Sequence, residues 1–126
     1  MKRATAEWIE RAEGDWKVAQ REMQATDPVW NVVCFLVQQC AEKYLKAFLE
    51  EQNIPFGKTH DLVVLLDLTG GRLPELEAIR PQLAYLSPFA VTAPYPGVQT
   101  NQQTAENTSQ IAEQVRTVVR AKLGLP

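Results

Sequence analysis

The chain has 126 residues, with 13 Lys plus Arg against 15 Asp plus Glu, one His, and a formal charge of −2. That length suits one domain and excludes a (β/α)₈ barrel or a dinucleotide-binding enzyme with a second domain, while 45% hydrophobic and 22% charged residues describe a globular chain rather than a disordered one. The slight acidity excludes strong nonspecific nucleic-acid binding, which runs on a cationic surface, and a lone imidazole excludes multi-His zinc sites and paired Glu-x-x-His di-iron sites within one chain, so no metal and no cofactor are expected.

The first predicted element covers residues 5–24. Trp8, Ala12, Trp16, Ala19 and Met23 recur at steps of three and four, which aligns them on one helical stripe. The second covers residues 29–52 and is more apolar. Val33, Leu36, Val37, Cys40, Ala41, Tyr44, Ala47 and Phe48 fill a broad arc, and Gln39, Glu42, Lys43, Lys46 and Glu50 a narrow polar one. A helix with so small a wet face belongs at the centre of a bundle. A short loop follows, and Thr59 is the expected N-cap of a helix from His60 to Leu68, stopped by Gly70-Gly71. Pro81 interrupts the next stretch, so a short turn over residues 74–79 and a new helix from Pro81 are expected. A turn at Pro94-Tyr95-Pro96-Gly97 precedes the last helix, which starts near Asn101 with Thr100 and Gln103 spaced as a capping box. Strand signals are absent. The reading is one all-α domain spanning residues 1–126, an up-and-down bundle of four long helices plus one short helix.

Residues 1–8 hold no apolar core of signal-peptide length, and the mostly apolar, uncharged stretch 28–41 is shorter than the ~20 residues a membrane span needs. Cys34 and Cys40, six residues apart on one helix, stand ~9 Å apart along its axis, too far for a disulfide. They read as core thiols of a cytoplasmic protein without membrane contact.

Candidate chemistry is sparse. No Gly-x-Ser-x-Gly, Gly-rich phosphate loop or Cys/His pairing occurs. His60 and Lys58 flank the expected start of a helix, where free N–H groups favour anions. Gln39, Lys43 and Lys46 follow one another at steps of four and three, and two ammonium groups there suit a phosphate or an acidic partner. A solvated stripe with helical ion pairs to Glu42 and Glu50 is the plainer alternative. Trp8, Trp16 and Trp30 read as core or dimer anchors, not as a base-stacking array.

The run Val37-Gln38-Gln39-Cys40-Ala41-Glu42-Lys43-Tyr44-Leu45-Lys46, followed by Thr59-His60-Asp61-Leu62 and by Tyr95-Pro96-Gly97, resembles the HEPN (higher eukaryote and prokaryote nucleotide-binding) domain family over nearly the whole chain. The resemblance implies a helical bundle and usually a homodimer. It also implies frequent pairing with a minimal nucleotidyltransferase, often as a toxin–antitoxin module. It places Gln39, Lys43, Lys46, His60 and Tyr95 near a groove for nucleotide or partner, to which Lys58 is added as a neighbour of His60.

Many relatives are metal-independent ribonucleases that carry Arg, four to six residues, then His. Here the nearest Arg before His60 is Arg21, with 38 residues between (60 − 21 − 1), and Pro94 stands where the family's late turn often has Arg. The expectation is therefore a binding module. A ribonuclease with an atypical site, using His60 as acid or base, and a purely structural oligomerisation bundle are the alternatives.

Overall fold

A computed structural model of the chain describes residues 1–91 and 100–126. Six helices follow in order: α1 Arg3–Met23, α2 Trp30–Glu51, α3 Leu62–Leu68, α4 Pro74–Glu77, α5 Arg80–Leu86 and α6 Gln102–Lys122. A 3₁₀ turn, Ser87–Phe89, extends α5. No strand occurs among the described residues, and none of their helices is long and apolar enough to cross a membrane.

The central place of α2 follows from its composition. Apolar residues on both sides of its axis, among them Val33, Val37, Tyr44, Leu45 and Leu49, lose all contact with solvent. They can do so only because α1 and α6 lie along α2 while α3 and the 3₁₀ turn cover its remaining side. Small residues let the long helices approach: Ala12 and Ala19 on α1, Ala41 and Ala47 on α2, and Ala105 and Ala112 on α6 are fully buried. Each fully buried Leu or Val contributes about 1.5–3 kcal/mol of transfer free energy. Cys34 and Cys40 lie in this core as free thiols. Burial pushes both thiol pKa values up, so neither is a ready thiolate.

The all-α bundle agrees with the helical periodicity, and three local features differ from it. The stretch after Pro81, expected as a long helix, is the seven-residue α5. Pro88 lacks an N–H to continue the ladder, and the Ser87 hydroxyl turns back to donate to the Leu83 carbonyl at 3.1 Å. The described residues thus contain three long helices and three short ones. The cap of α3 is Asp61, not Thr59: the Asp61 carboxylate accepts from the N–H groups of Val63 and Val64, whereas Thr59 Oγ1 accepts from the Asp61 N–H. The cap of α6 is Asn101, whose Oδ1 accepts from the Thr104 N–H at 2.9 Å, rather than Thr100.

Candidate functional site

Three polar residues of α2, Gln38, Glu42 and Lys46, recur at steps of four on one face, and all are buried. Glu42 is the hub. Its Oε2 accepts from Lys46 Nζ at 3.0 Å, and its Oε1 accepts from His60 Nδ1 at 2.9 Å. Gln38 Nε2 donates to the His60 carbonyl at 3.0 Å and, at 3.4 Å, to Glu42 Oε1. Gln39 Nε2 in turn donates to Gln38 Oε1 at 2.7 Å. A carboxylate only accepts, so Nδ1 is the ring nitrogen that carries the hydrogen, and Nε2 is left for a ligand. The exposure contrast fits: the Glu42 side chain is 4% exposed and that of His60 63%. A charged anchor sits inside, and its imidazole faces water.

The loop after α2 places this imidazole beside α1. Asn53 adopts a left-handed φ of 58°, a conformation Asn tolerates better than most residues, and the Ile54 N–H returns to the Leu49 carbonyl at 2.9 Å. The start of α1 is strapped to the same corner. The Lys2 backbone N–H and the Thr5 hydroxyl donate to Glu51 Oε1 at 3.0 and 2.9 Å, and the Lys2 ammonium donates to the Asn53 side chain. The Lys2 N–H and Thr5 hydroxyl hold the Glu51 carboxyl below its ordinary pKa.

The result is a cleft of about 480 Å³ lined by Trp8, Lys46, Phe56, Gly57, Lys58 and His60. Trp8 and Phe56 meet edge to face with centroids 6.0 Å apart. Lys46 Nζ lies 5.7 Å from the Trp8 centroid and 6.0 Å from that of Phe56. Among the described residues Glu42 is its sole hydrogen-bond acceptor, which leaves two of the three ammonium N–H bonds for something else. Lys58 is exposed and has no hydrogen-bond or ion-pair partner among the described residues. The cleft therefore combines an aromatic wall with two ammonium groups and an imidazole, opposed by one carboxylate that Lys46 and His60 share.

The sequence-derived candidates sort accordingly. Lys46, Lys58 and His60 converge on the cleft, and Gln39 supports it through Gln38. Lys43 does not join them: its ammonium is held by Asp15 Oδ2 of α1 at 2.5 Å. Lys46 is not on a solvated stripe, because Trp8 and Phe56 cover it. The helix start beside His60 offers no free N–H groups. Asp61 takes those of Val63 and Val64, and the Ser87 hydroxyl takes that of Leu62 at 2.9 Å. Tyr95 lies outside the described residues.

Sequence reasoning missed Gln38 and Phe56, read Trp8 as a core anchor, and saw Glu42 only as a helical ion-pair partner. The available signal was the 38, 42, 46 spacing, which keeps a strict i, i+4 register; the stripe followed instead was 39, 43, 46.

A second charged cluster lies where α1, α2 and α6 meet. Arg116 donates from Nε and Nη2 to the two Glu13 oxygens, each at 2.7 Å, and the Tyr44 hydroxyl donates to Glu13 at 2.6 Å. Arg120 Nη1 donates to the Tyr44 hydroxyl oxygen at 3.1 Å, and Arg116 stacks on Trp16 at 5.5 Å. The Arg116 guanidinium and, after it, the Tyr44 hydroxyl hold the Glu13 carboxyl below its usual pKa against the cost of burial, while burial and the Glu13 charge push the Tyr44 hydroxyl up. These groups satisfy one another and read as a strut between helices. Two larger hollows, a groove of about 690 Å³ between α4–α5 and α6 and one of about 820 Å³ on the outer face of α1, are lined by no buried charged residue. Among the described residues no three His, Cys, Asp or Glu side chains are grouped to hold a metal ion.

A central, mostly apolar helix carries one buried polar face, Gln38, Glu42 and Lys46, that anchors a His at the mouth of a cationic aromatic cleft, and the fold around it is a small all-α bundle. The chain matches the HEPN domain family over residues 5–122, nearly its whole length, and it belongs to that family. Two solved structures share the fold. TT1696 from Thermus thermophilus is 22% identical with a TM-score of 0.82, over 97% of this chain and 99% of its own. ST0689, described as an archaeal HEPN homologue, is 24% identical with a TM-score of 0.77, over 98% of this chain and 99% of its own. No curated protein matches the chain.

Proposed function

We propose that the protein is a nucleotide-binding HEPN module whose ligand sits in the Trp8/Lys46/Phe56/Lys58/His60 cleft. The observation that carries this reading is the buried Glu42 hub, which fixes an ammonium and an imidazole beside two aromatic rings. Lys46 and Lys58 donate hydrogen bonds to phosphate oxygens, His60 Nε2 donates as well when the ring carries a second proton, and charge-assisted bonds are about twice as strong as neutral ones. Trp8 and Phe56 supply a surface for a base, where stacking contributes about 1–3 kcal/mol. Family membership supports the wider setting: a cytoplasmic homodimer paired with a minimal nucleotidyltransferase in a toxin–antitoxin-like pair.

The test is equilibrium binding of ribonucleotides followed by tryptophan fluorescence, with Trp8→Phe assigning the signal. Lys58→Ala with His60→Ala should weaken binding at least tenfold without altering the circular-dichroism spectrum, because both side chains face water. Undiminished binding by that double variant would move the ligand elsewhere. Cleavage of single-stranded RNA that disappears in His60→Ala would replace this reading with the ribonuclease one; no arginine bonds to His60 among the described residues to stabilise a phosphorane.

A further inference from the structure

Three observations bear on how many phosphates the cleft accommodates. The first is charge. Full positive charge comes from Lys46 and Lys58, and the Lys46 charge is already opposed by the buried Glu42 carboxylate at 3.0 Å. His60 adds a positive charge only when Nε2 is also protonated, since Nδ1 is engaged by the same carboxylate. The second is donor count. Lys46, Lys58 and, when doubly protonated, His60 are three donor groups, one for each terminal oxygen of a single phosphate. The third is the wall. Trp8 and Phe56 form the cleft's apolar side, and at about 480 Å³ it falls in the lower part of the ~300–1,000 Å³ range of small-ligand pockets. A polyphosphate chain would lie against aromatic carbon or reach toward Glu42, whose charge repels it.

We infer that the cleft selects a ligand with one phosphate and one aromatic base, a nucleoside monophosphate, over nucleoside di- and triphosphates. The inference rests on the nucleotide-binding reading and narrows it. A monophosphate carries close to two negative charges at neutral pH, which the Lys46 and Lys58 ammonium groups face beside Glu42, with His60 adding a positive charge only in its doubly protonated form. Each further phosphate adds negative charge without a further cation among the residues that line the cleft. The base, and not the phosphate tail, then occupies the Trp8/Phe56 side.

The experiment compares adenosine, guanosine, cytidine and uridine with their mono-, di- and triphosphates, and with ribose 5-phosphate, by the same fluorescence titration at fixed ionic strength. For the preferred base, the monophosphate should bind at least tenfold more tightly than the nucleoside and than ribose 5-phosphate. The di- and triphosphates should bind at least threefold more weakly than the monophosphate. Lys58→Ala should erase most of the advantage of monophosphate over nucleoside while leaving nucleoside affinity in place, a pattern that a loss of fold would not produce. A triphosphate that binds as tightly as the monophosphate, or more tightly, overturns the inference and leaves the nucleotide-binding reading standing. Ribose 5-phosphate binding as well as the monophosphate also overturns it, by removing the base. Failure of every nucleotide to bind at millimolar concentration overturns both.

Discussion

Glu42 shows how one buried side chain sets the character of its neighbours. It accepts from an ammonium and an imidazole at once, and Gln38 closes the network by holding the His60 carbonyl. Removing one member of a buried ion pair costs about 3–5 kcal/mol, because the other charge is left desolvated without its counter-ion. Glu42→Gln should therefore lower the urea-unfolding free energy by about 3 kcal/mol, and adding Lys46→Met should restore a large part of that loss. A single variant within about 1 kcal/mol of the parent would mean that Glu42 anchors nothing. Lys46→Ala is correspondingly no innocent probe of binding: it opens a cavity beneath Trp8 and Phe56 as well as removing charge, so the exposed Lys58 and His60 are the residues to test. The sequence grouped Lys43, Lys46 and His60, of which Lys43 pairs with Asp15 instead, and it did not disclose the hub beneath Lys46 and His60. A buried carboxylate and a solvated one look alike in a helical wheel, and only the loop that returns Phe56 and His60 over α2 distinguishes them.

Among the elements, the first two long helices follow so directly from apolar spacing that their limits agree with the sequence reading within two residues: residues 5–24 against Arg3–Met23, and 29–52 against Trp30–Glu51. The short elements were harder because local capping chemistry decides them. Thr59 and Asp61 both suit an N-cap, and Asp61 prevails because its carboxylate reaches two N–H groups at once. What joins the long helices is partly electrostatic. Glu13 of α1, Tyr44 of α2 and Arg116 of α6 form one hydrogen-bonded cluster.

That cluster gives a pH prediction. The Glu13 carboxyl has its pKa lowered in the folded chain, so its ionised form contributes stability that is complete above the unfolded value near 4.5 and is lost as pH falls through the lower folded value. Glu13→Gln should cost about 1–2 kcal/mol at pH 7, reduced from the buried range because the pair is partly exposed. The difference between parent and variant in urea unfolding should shrink progressively as pH falls below that unfolded value. A gap that stays constant down to about pH 2.5 would show that Glu13 acts through packing and not through its charge.

At the scale of the whole molecule, assembly is the property least legible in the sequence. The broad apolar surface of α2 suggests a helix that needs a second chain to cover it, yet α1, α3, α6 and the 3₁₀ turn of the same chain bury the greater part of it. The surplus lies elsewhere. Val64 and Leu68, one turn apart on α3, are 42% and 36% exposed, and Tyr85 of α5, which packs against α3, is 45% exposed. Isolated apolar residues on a surface are ordinary, but an i, i+4 pair on a helix presents one continuous strip, and a two-fold axis through such a strip buries it on both copies. Size-exclusion chromatography with light scattering at micromolar concentration should give about twice 14.2 kDa for the parent. Val64→Glu with Leu68→Glu should shift it to the monomer mass, because two like-charged strips would face each other across the axis, while the helical circular-dichroism signal stays unchanged because neither side chain belongs to the core. A parent that elutes as a monomer at every concentration sinks the dimer. A variant that remains dimeric moves the interface away from α3.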